Sequence, residues 1–157
     1  MTALLWNILL ALIWIAMTGQ FTPGNFVVGL GLGLLILIFT RRAIGSPNYI
    51  RKVGQVLNLA LFFVWELILA NLRVAYDVVT PRHHMRPGVI GVPLAARTDL
   101  EITVLSSMIS LTPGTLSLDV SADRKMLYIH AMYLDDVEAA RRKIKDGFER
   151  RVLEVLR

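Results

Sequence analysis

The chain contains no cysteine, which excludes disulfides, thiolate metal sites and cysteine nucleophiles together. Histidine is nearly as scarce, with three residues in the chain. The more telling absence is local. Residues 1–40 hold no Asp, Glu, Lys, Arg or His, an uncharged stretch suited to lipid and costly to place in water. Residues 81–157 are the opposite, with 12 basic and 10 acidic side chains, as a small water-exposed domain requires. The net charge of +5 points away from nucleic acid because of where it sits. Its basic residues cluster beside apolar segments, at Arg41, Arg42, Arg51, Lys52, Arg82 and Arg86, the distribution of the positive-inside rule.

Within the uncharged region, Met1 to Met17 is interrupted only by Thr2 and Asn7. A helix of that length covers about 25 Å, enough for a thin bilayer. No basic segment precedes it, which favours an anchor over a cleaved signal. Thr18 to Asn25 reads as a turn fixed by Pro23–Gly24, and a second span runs from Phe26 to Thr40 before Arg41–Arg42. Residues 1–40 thus predict a two-helix transmembrane hairpin with its loop outside and its N-terminus in the cytoplasm. Gly29 and Gly33, on one face of the second helix, are expected to admit another helix closely. The spacing of Gly29, Gly31 and Gly33 does not match a dinucleotide fingerprint.

Residues 41–80 comprise a basic loop and a third apolar segment, Val53 to Val79. At 100° per residue its Gln55, Glu66, Arg73 and Asp77 fall in one narrow stripe. Two placements fit: an amphipathic helix on the cytoplasmic surface, or a third transmembrane helix with the stripe facing protein. Basic residues on both flanks favour the surface helix.

Residues 81–157 read as a cytoplasmic domain of order βαββα. Gly88 to Leu94 is a strand; Thr98, with Glu101 three positions on, forms a capping box for a helix to Leu111. Thr112, Pro113, Gly114 and Thr115 form a type II turn. Leu116, Leu118 and Val120 then alternate with polar residues, predicting a half-buried strand. A second strand, Met126 to Tyr133, follows, and Asp135 is expected to cap a final helix supported by Glu138–Arg142 and Asp146–Arg150 pairs. The first two strands should run parallel through a right-handed crossover. The fold class is therefore a membrane α-helical hairpin, an amphipathic or third helix, and a small α+β domain whose sheet needs cover from membrane or partners. Helix 98–111 is a candidate for sharing with a partner.

No catalytic set is visible. His83 and His84 sit in a basic loop, His130 lies on a strand without a partner, and Asp135–Asp136 reads as a helix start. No phosphate loop or metal spacing occurs. Ionisable residues near lipid can mark ion paths, but Glu66, Arg73 and Asp77 on one helix do not make a pathway.

Three stretches carry a family resemblance: Phe21 to Phe26 (FTPGNF), Asn71 to Val78 (NLRVAYDV) and Ser110 to Val120 (SLTPGTLSLDV). With the hairpin they span essentially the whole chain, which resembles the E subunit of multi-subunit Na+/H+ antiporters of the Mrp (Mnh, Pha) type. The resemblance implies a non-catalytic structural and assembly subunit in the bacterial cytoplasmic membrane. It implies no cofactor or metal, and partnership with the lipid bilayer and with other hydrophobic subunits. The complex as a whole would handle the Na+ or other cation and H+. Gly29, Gly33, Glu66, Arg73, Asp77 and Thr112, Pro113, Gly114 and Thr115 are the expected subunit-packing residues. An autonomous membrane-anchored binding or regulatory module using the βαββα domain is the competing reading.

Overall fold

The computed structural model describes residues 2–39, 47–80 and 85–157. The chain divides into two units, Met1–Gly54 and Gln55–Arg157. Arg41, Arg42, Arg82, His83 and His84 lie outside the described residues.

The first unit is built on two antiparallel helices, α1 (Thr2–Thr18) and α2 (Pro23–Phe39), with the start of α3 (Pro47–Val79) completing it. The turn is shorter than the sequence suggests. Gly19 closes α1 at φ 65°, its N–H reaching Ile15 O at 2.9 Å, as a helix-ending glycine does. Thr22 then caps α2, its Oγ1 accepting from Asn25 N at 3.2 Å. Pro23 is the first helical residue, where its missing N–H costs nothing, so Pro23–Gly24 begins α2 and does not form the turn. Asn25 fastens the loop by donating to Thr18 Oγ1 and Gln20 O and accepting from Trp14 Nε1 at 2.9 Å.

In the second unit, α3 from Gln55 onward packs on an α+β domain. The domain comprises β1 (Gly88–Pro93), α4 (Asp99–Leu111), β2 (Thr115–Val120) and β3 (Met126–Ala131). Its closing helix runs as α5 (Val137–Arg142), a π-helical stretch (Lys143–Glu149) and α6 (Arg150–Leu156). The capping box forms at Thr98 and Glu101. β3 is central in a three-stranded sheet of order β1-β3-β2, antiparallel to both neighbours. The first two strands therefore run parallel, but β3 separates them and they share no hydrogen bonds.

The core lies on one face of the sheet. Ile90, Val92, Leu127 and Ile129 meet Leu105, Met108 and Ile109 of α4 and Ile144, Phe148 and Val152 of the closing helix. Helix 98–111 thus spends its apolar face inside the domain, where sharing with a partner was expected. Among the described residues, nothing covers the other face of the sheet. In the row where Val89, His130 and Leu116 align, Val89 is 59% and Leu116 49% exposed, and Leu118 is 51% exposed. Leu116 and Leu118 point outward, where the expected strand had them half-buried, while Val120, beyond a bulge between Ser117 and Asp119, packs against the core.

The closing helix also departs from expectation. Asp136, not Asp135, is its cap, accepting from Glu138 N and Ala139 N at 2.8 and 3.1 Å. Asp135 instead pairs with Arg86 at 3.4 Å. Glu138 pairs with Arg141 where Arg142 was expected, and Arg150 pairs with Glu154 while its Nε donates to the Asp146 backbone carbonyl. Both pairs lie in the α-helical turns on either side of the π-helical stretch, which contains Asp146 itself.

Candidate functional site

The expected packing residues fall into two groups, each in its own unit. Gly29 and Gly33 are buried in α2, and what they meet is the chain's own first helix. A Cβ on Gly29 would lie 3.0 Å from Ala11 Cα and 3.1 Å from Ala11 O; one on Gly33 would overlap Asn7 Oδ1 and lie 3.2 Å from Leu10 Cβ. The helix they admit closely is α1, so this close-approach surface is used inside the hairpin. Asn7, buried between the helices, donates to Tyr49 Oη at 2.8 Å. Gly31 faces open space.

The second group converges on a cavity of about 350 Å³ between α3 and the α+β domain, lined by Glu66, Arg73, Thr112, Pro113, Gly114 and Thr115. Its floor is apolar, with Ile90, Ile109, Ile129 and Phe148 among its walls, and its rim is charged, with Lys143, Asp135 and Asp136. Asp77 does not line it but reaches its wall through Tyr133.

Each element positions one part of this site. Glu66, buried on α3, forms an ion pair with Lys143 at 2.5 Å. A buried carboxylate is costly unless it is paired in this way. One turn earlier, Phe62 meets Phe148 edge-on with centroids 5.1 Å apart and lies 4.0 Å beneath the Arg151 guanidinium, an arrangement that adds a cation–π attraction to apolar packing. Gly147 gives Phe62 room here, since a Cβ would stand 3.0 Å from Phe62 Cζ. Further along α3, Arg73 lies 5.3 Å from the Tyr133 ring centroid. The nearby Asp77 carboxylate, with burial added, pushes the Tyr133 phenol up from its ordinary value, against a smaller opposing pull from Arg73.

The 112–115 turn supplies the opposite wall. Thr112 Oγ1 donates to Met108 O at 2.9 Å, and Thr115 Oγ1 donates to Ile109 O at 2.6 Å. These bonds satisfy carbonyls left open at the end of α4. Thr115 N closes the turn on Thr112 O at 3.1 Å. Gly114 sits at φ 86°, the left-handed region that favours glycine. Its carbonyl accepts from Met132 N at 2.8 Å, and a Cβ there would be 3.3 Å from Tyr133 Cε2. The turn and the charged stripe therefore meet at one tyrosine.

Sequence reasoning did not identify Tyr133 or Lys143, because each joins the site through tertiary contact. It also missed a lock on the far end of the closing helix. Glu149, almost wholly buried, accepts from Ala95 N and Ala96 N at 2.6 and 3.0 Å and pairs with Lys145. Arg157 donates to Glu101 and to Ala95 O. Glu101 was legible as a capping residue, but its second partner was not.

Among the described residues no group of three His, Cys, Asp or Glu side chains is placed to hold a metal ion. His130 stands on β3, aligned with Val89 and Leu116, away from the cavity. Chemically, the cavity offers an apolar seat with a charged rim and no assembled nucleophile and base.

A family model described as Na+/H+ ion antiporter subunit matches residues 7–155. Over 152 residues the chain is 41% identical to the E subunit of the Na(+)/H(+) antiporter of Alkalihalophilus pseudofirmus, covering 97% of this chain and 96% of that one. The Bacillus subtilis E subunit is 40% identical over 154 residues, covering 98% of each. Among solved structures, a chain of the Mrp complex from Dietzia sp. is similar with TM-score 0.50 and 30% identity, over 65% of this chain and 96% of that one. A chain of the membrane-bound sulfane sulfur reductase, an archaeal respiratory membrane complex, is similar with TM-score 0.56 and 28% identity, over 96% of each. These relatives place the chain among membrane proteins. The chain belongs to the E-subunit family of the Na+/H+ antiporters.

Proposed function

We propose that the chain serves a multi-subunit cation/proton antiporter of the bacterial cytoplasmic membrane as a structural and assembly subunit, without catalytic chemistry of its own. On this reading α1 and α2 cross the bilayer as a hairpin, the α+β domain stands in the cytoplasm, and larger hydrophobic partner subunits carry the ions. The observation that carries the reading is the use made of the charges near the apolar helices. Glu66 is committed to Lys143, and Arg73 and Asp77 are gathered around Tyr133, so the stripe works as an internal clamp. The family membership supplies the antiporter, and the Dietzia Mrp complex and the archaeal respiratory complex supply examples of related chains within membrane assemblies.

Deletion of this chain alone, followed by affinity purification of the complex and Na+/H+ exchange assays in everted vesicles, tests the proposal. Loss of both assembly and exchange is expected. An intact complex with undiminished exchange sinks it. A chain that purifies alone as a stable monomer and binds a small molecule in the cavity would support an autonomous module instead.

A further inference from the structure

By length and apolarity, Arg51–Val79 of α3 is sufficient to cross a membrane. Its contacts argue otherwise. Arg151 lies over Phe62, Lys143 pairs with Glu66, and Tyr133 receives both Arg73 and Asp77. From Phe62 to Asp77 the α+β domain therefore accompanies α3 for about 22 Å at ~1.5 Å per residue, most of the roughly 30 Å hydrocarbon layer. A transmembrane α3 would draw that domain into lipid with it. The exposed Arg142, Asp146 and Arg150 beside these contacts, and the open edges of a three-stranded sheet, have no place in hydrocarbon.

Among the described residues, the opposite face of α3 has no such company. Leu57, Leu61, Trp65, Ile68, Leu72 and Val79 share one side and are all exposed. The charged residues of 55–79 are Glu66, Arg73 and Asp77, and all three turn toward the domain. Only residues 40–46 separate α2 from α3. Eight peptide steps reach at most about 28 Å, so α3 begins near the bilayer that holds α2. Trp65 and Tyr76, aromatic rings with polar tips, suit the headgroup boundary.

We infer that α3 lies in the plane of the membrane, with its outward face sunk into the cytoplasmic leaflet and its charged stripe holding the α+β domain against the surface. This rests on the reading of α1 and α2 as a membrane hairpin. The partner of the outward face is phospholipid. The helix is thus amphipathic in an unusual sense: the polar side opposite the lipid is turned to folded protein and not to water.

The absence of cysteine makes the full-length chain a ready template for single-cysteine spin labelling. The variants Leu57→Cys, Leu61→Cys, Ile68→Cys, Leu72→Cys and Val79→Cys, reconstituted in phosphatidylethanolamine/phosphatidylglycerol vesicles, report depth from oxygen against nickel-chelate accessibility. All five labels should sit at one shallow depth of about 5–10 Å. A profile that deepens to a maximum near Ile68 and rises again at Val79 overturns the inference in favour of a span. Labels open to the nickel chelate and poor in oxygen overturn it in favour of a water-exposed helix. Because a neighbouring subunit can replace lipid in the assembled complex, a photo-crosslinking amino acid at Leu61, Ile68 and Leu72 is the second measurement, made in native membranes. No protein adduct is expected, and adducts to another subunit at all three positions overturn the lipid assignment. Each of these outcomes leaves copurification and exchange unaltered, so failure here is distinguishable from failure of the antiporter-subunit reading.

Discussion

Arg157 Nε donates to Glu101 Oε1 at 2.9 Å, joining residues 56 positions apart and closing the end of the last helix onto the first turn of α4. The same carboxylate accepts from Arg97 N and Thr98 N at 2.7 and 3.2 Å. Donors from three residues hold it charged.

That relationship sets an acid limit on the domain. The Arg157 hydrogen bond first, then the backbone N–H of Arg97, bring the Glu101 pKa from 4.5 down to about 2. A depressed folded-state pKa contributes stability that is present above the unfolded value and lost as pH falls through the folded one. Thermal unfolding of the full chain in detergent should therefore show a falling midpoint between pH 4.5 and pH 2. Glu101→Gln should remove that component and lower stability at neutral pH, while Arg157→Ala should move the decline to higher pH. An unchanged acid profile in both variants would contradict the assignment.

Gly29 and Gly33 predict a graded response to added side chains. Gly29 faces backbone atoms of Ala11, which cannot rotate away, whereas Gly31 faces open space. Gly29→Leu and Gly33→Leu should each destabilise the hairpin by about 1–3 kcal/mol, the usual scale of overpacking, and Gly31→Leu should not. Denaturation in mixed micelles can rank the three variants. Equal tolerance at all three positions would show that α1 and α2 do not pack through these glycines.

The Glu66–Lys143 pair is asymmetric, with side chains about 10% and 54% exposed respectively. Removing the cation should therefore cost more than its exposure suggests, because a buried carboxylate is left behind. We expect Lys143→Met to cost about 1–3 kcal/mol, and the double change with Glu66→Gln to recover most of that loss. A double-mutant cycle measured by unfolding yields the coupling directly, and additive losses would mean that the pair contributes nothing.

Tyr133 should ionise late. Its phenol is raised by Asp77 and by burial, so its stabilising contribution is complete below the ordinary tyrosine value of 10.0 and disappears as pH rises through the higher folded value. Ultraviolet difference titration, with Tyr133→Phe identifying the signal, should show Asp77→Asn bringing that ionisation down. If Asp77→Asn leaves the titration in place, the two groups are not coupled.

The parts of this fold legible in the sequence are those fixed within a few residues. Thr98 and Glu101 announce α4 because a capping box is a local exchange of hydrogen bonds, and the 112–115 turn is legible because Gly114 alone relieves a left-handed φ there. Strand order was not legible, because the place of β3 between β1 and β2 depends on contacts across the whole domain. The adjacent Asp135 and Asp136 are chemically equal as caps, and only the path of the chain past Arg86 assigns them different partners. The charged stripe of α3 was visible as a period, but the tyrosine that gathers Arg73 and Asp77 lies far away in sequence. Gly29 and Gly33 were recognisable as a close-approach surface, yet composition does not say which helix arrives.

The π-helical stretch at Lys143–Glu149 bears on how this family's sequences line up. Wider winding accommodates an extra residue relative to an α-helix, and here it lets Ile144, Phe148 and Val152, spaced by fours, all face the core. Relatives one residue shorter between Arg142 and Arg150 would close this segment into ordinary α-helix. A single-residue deletion there should change the winding and leave the ion pairs at Glu66 and Glu149 in place.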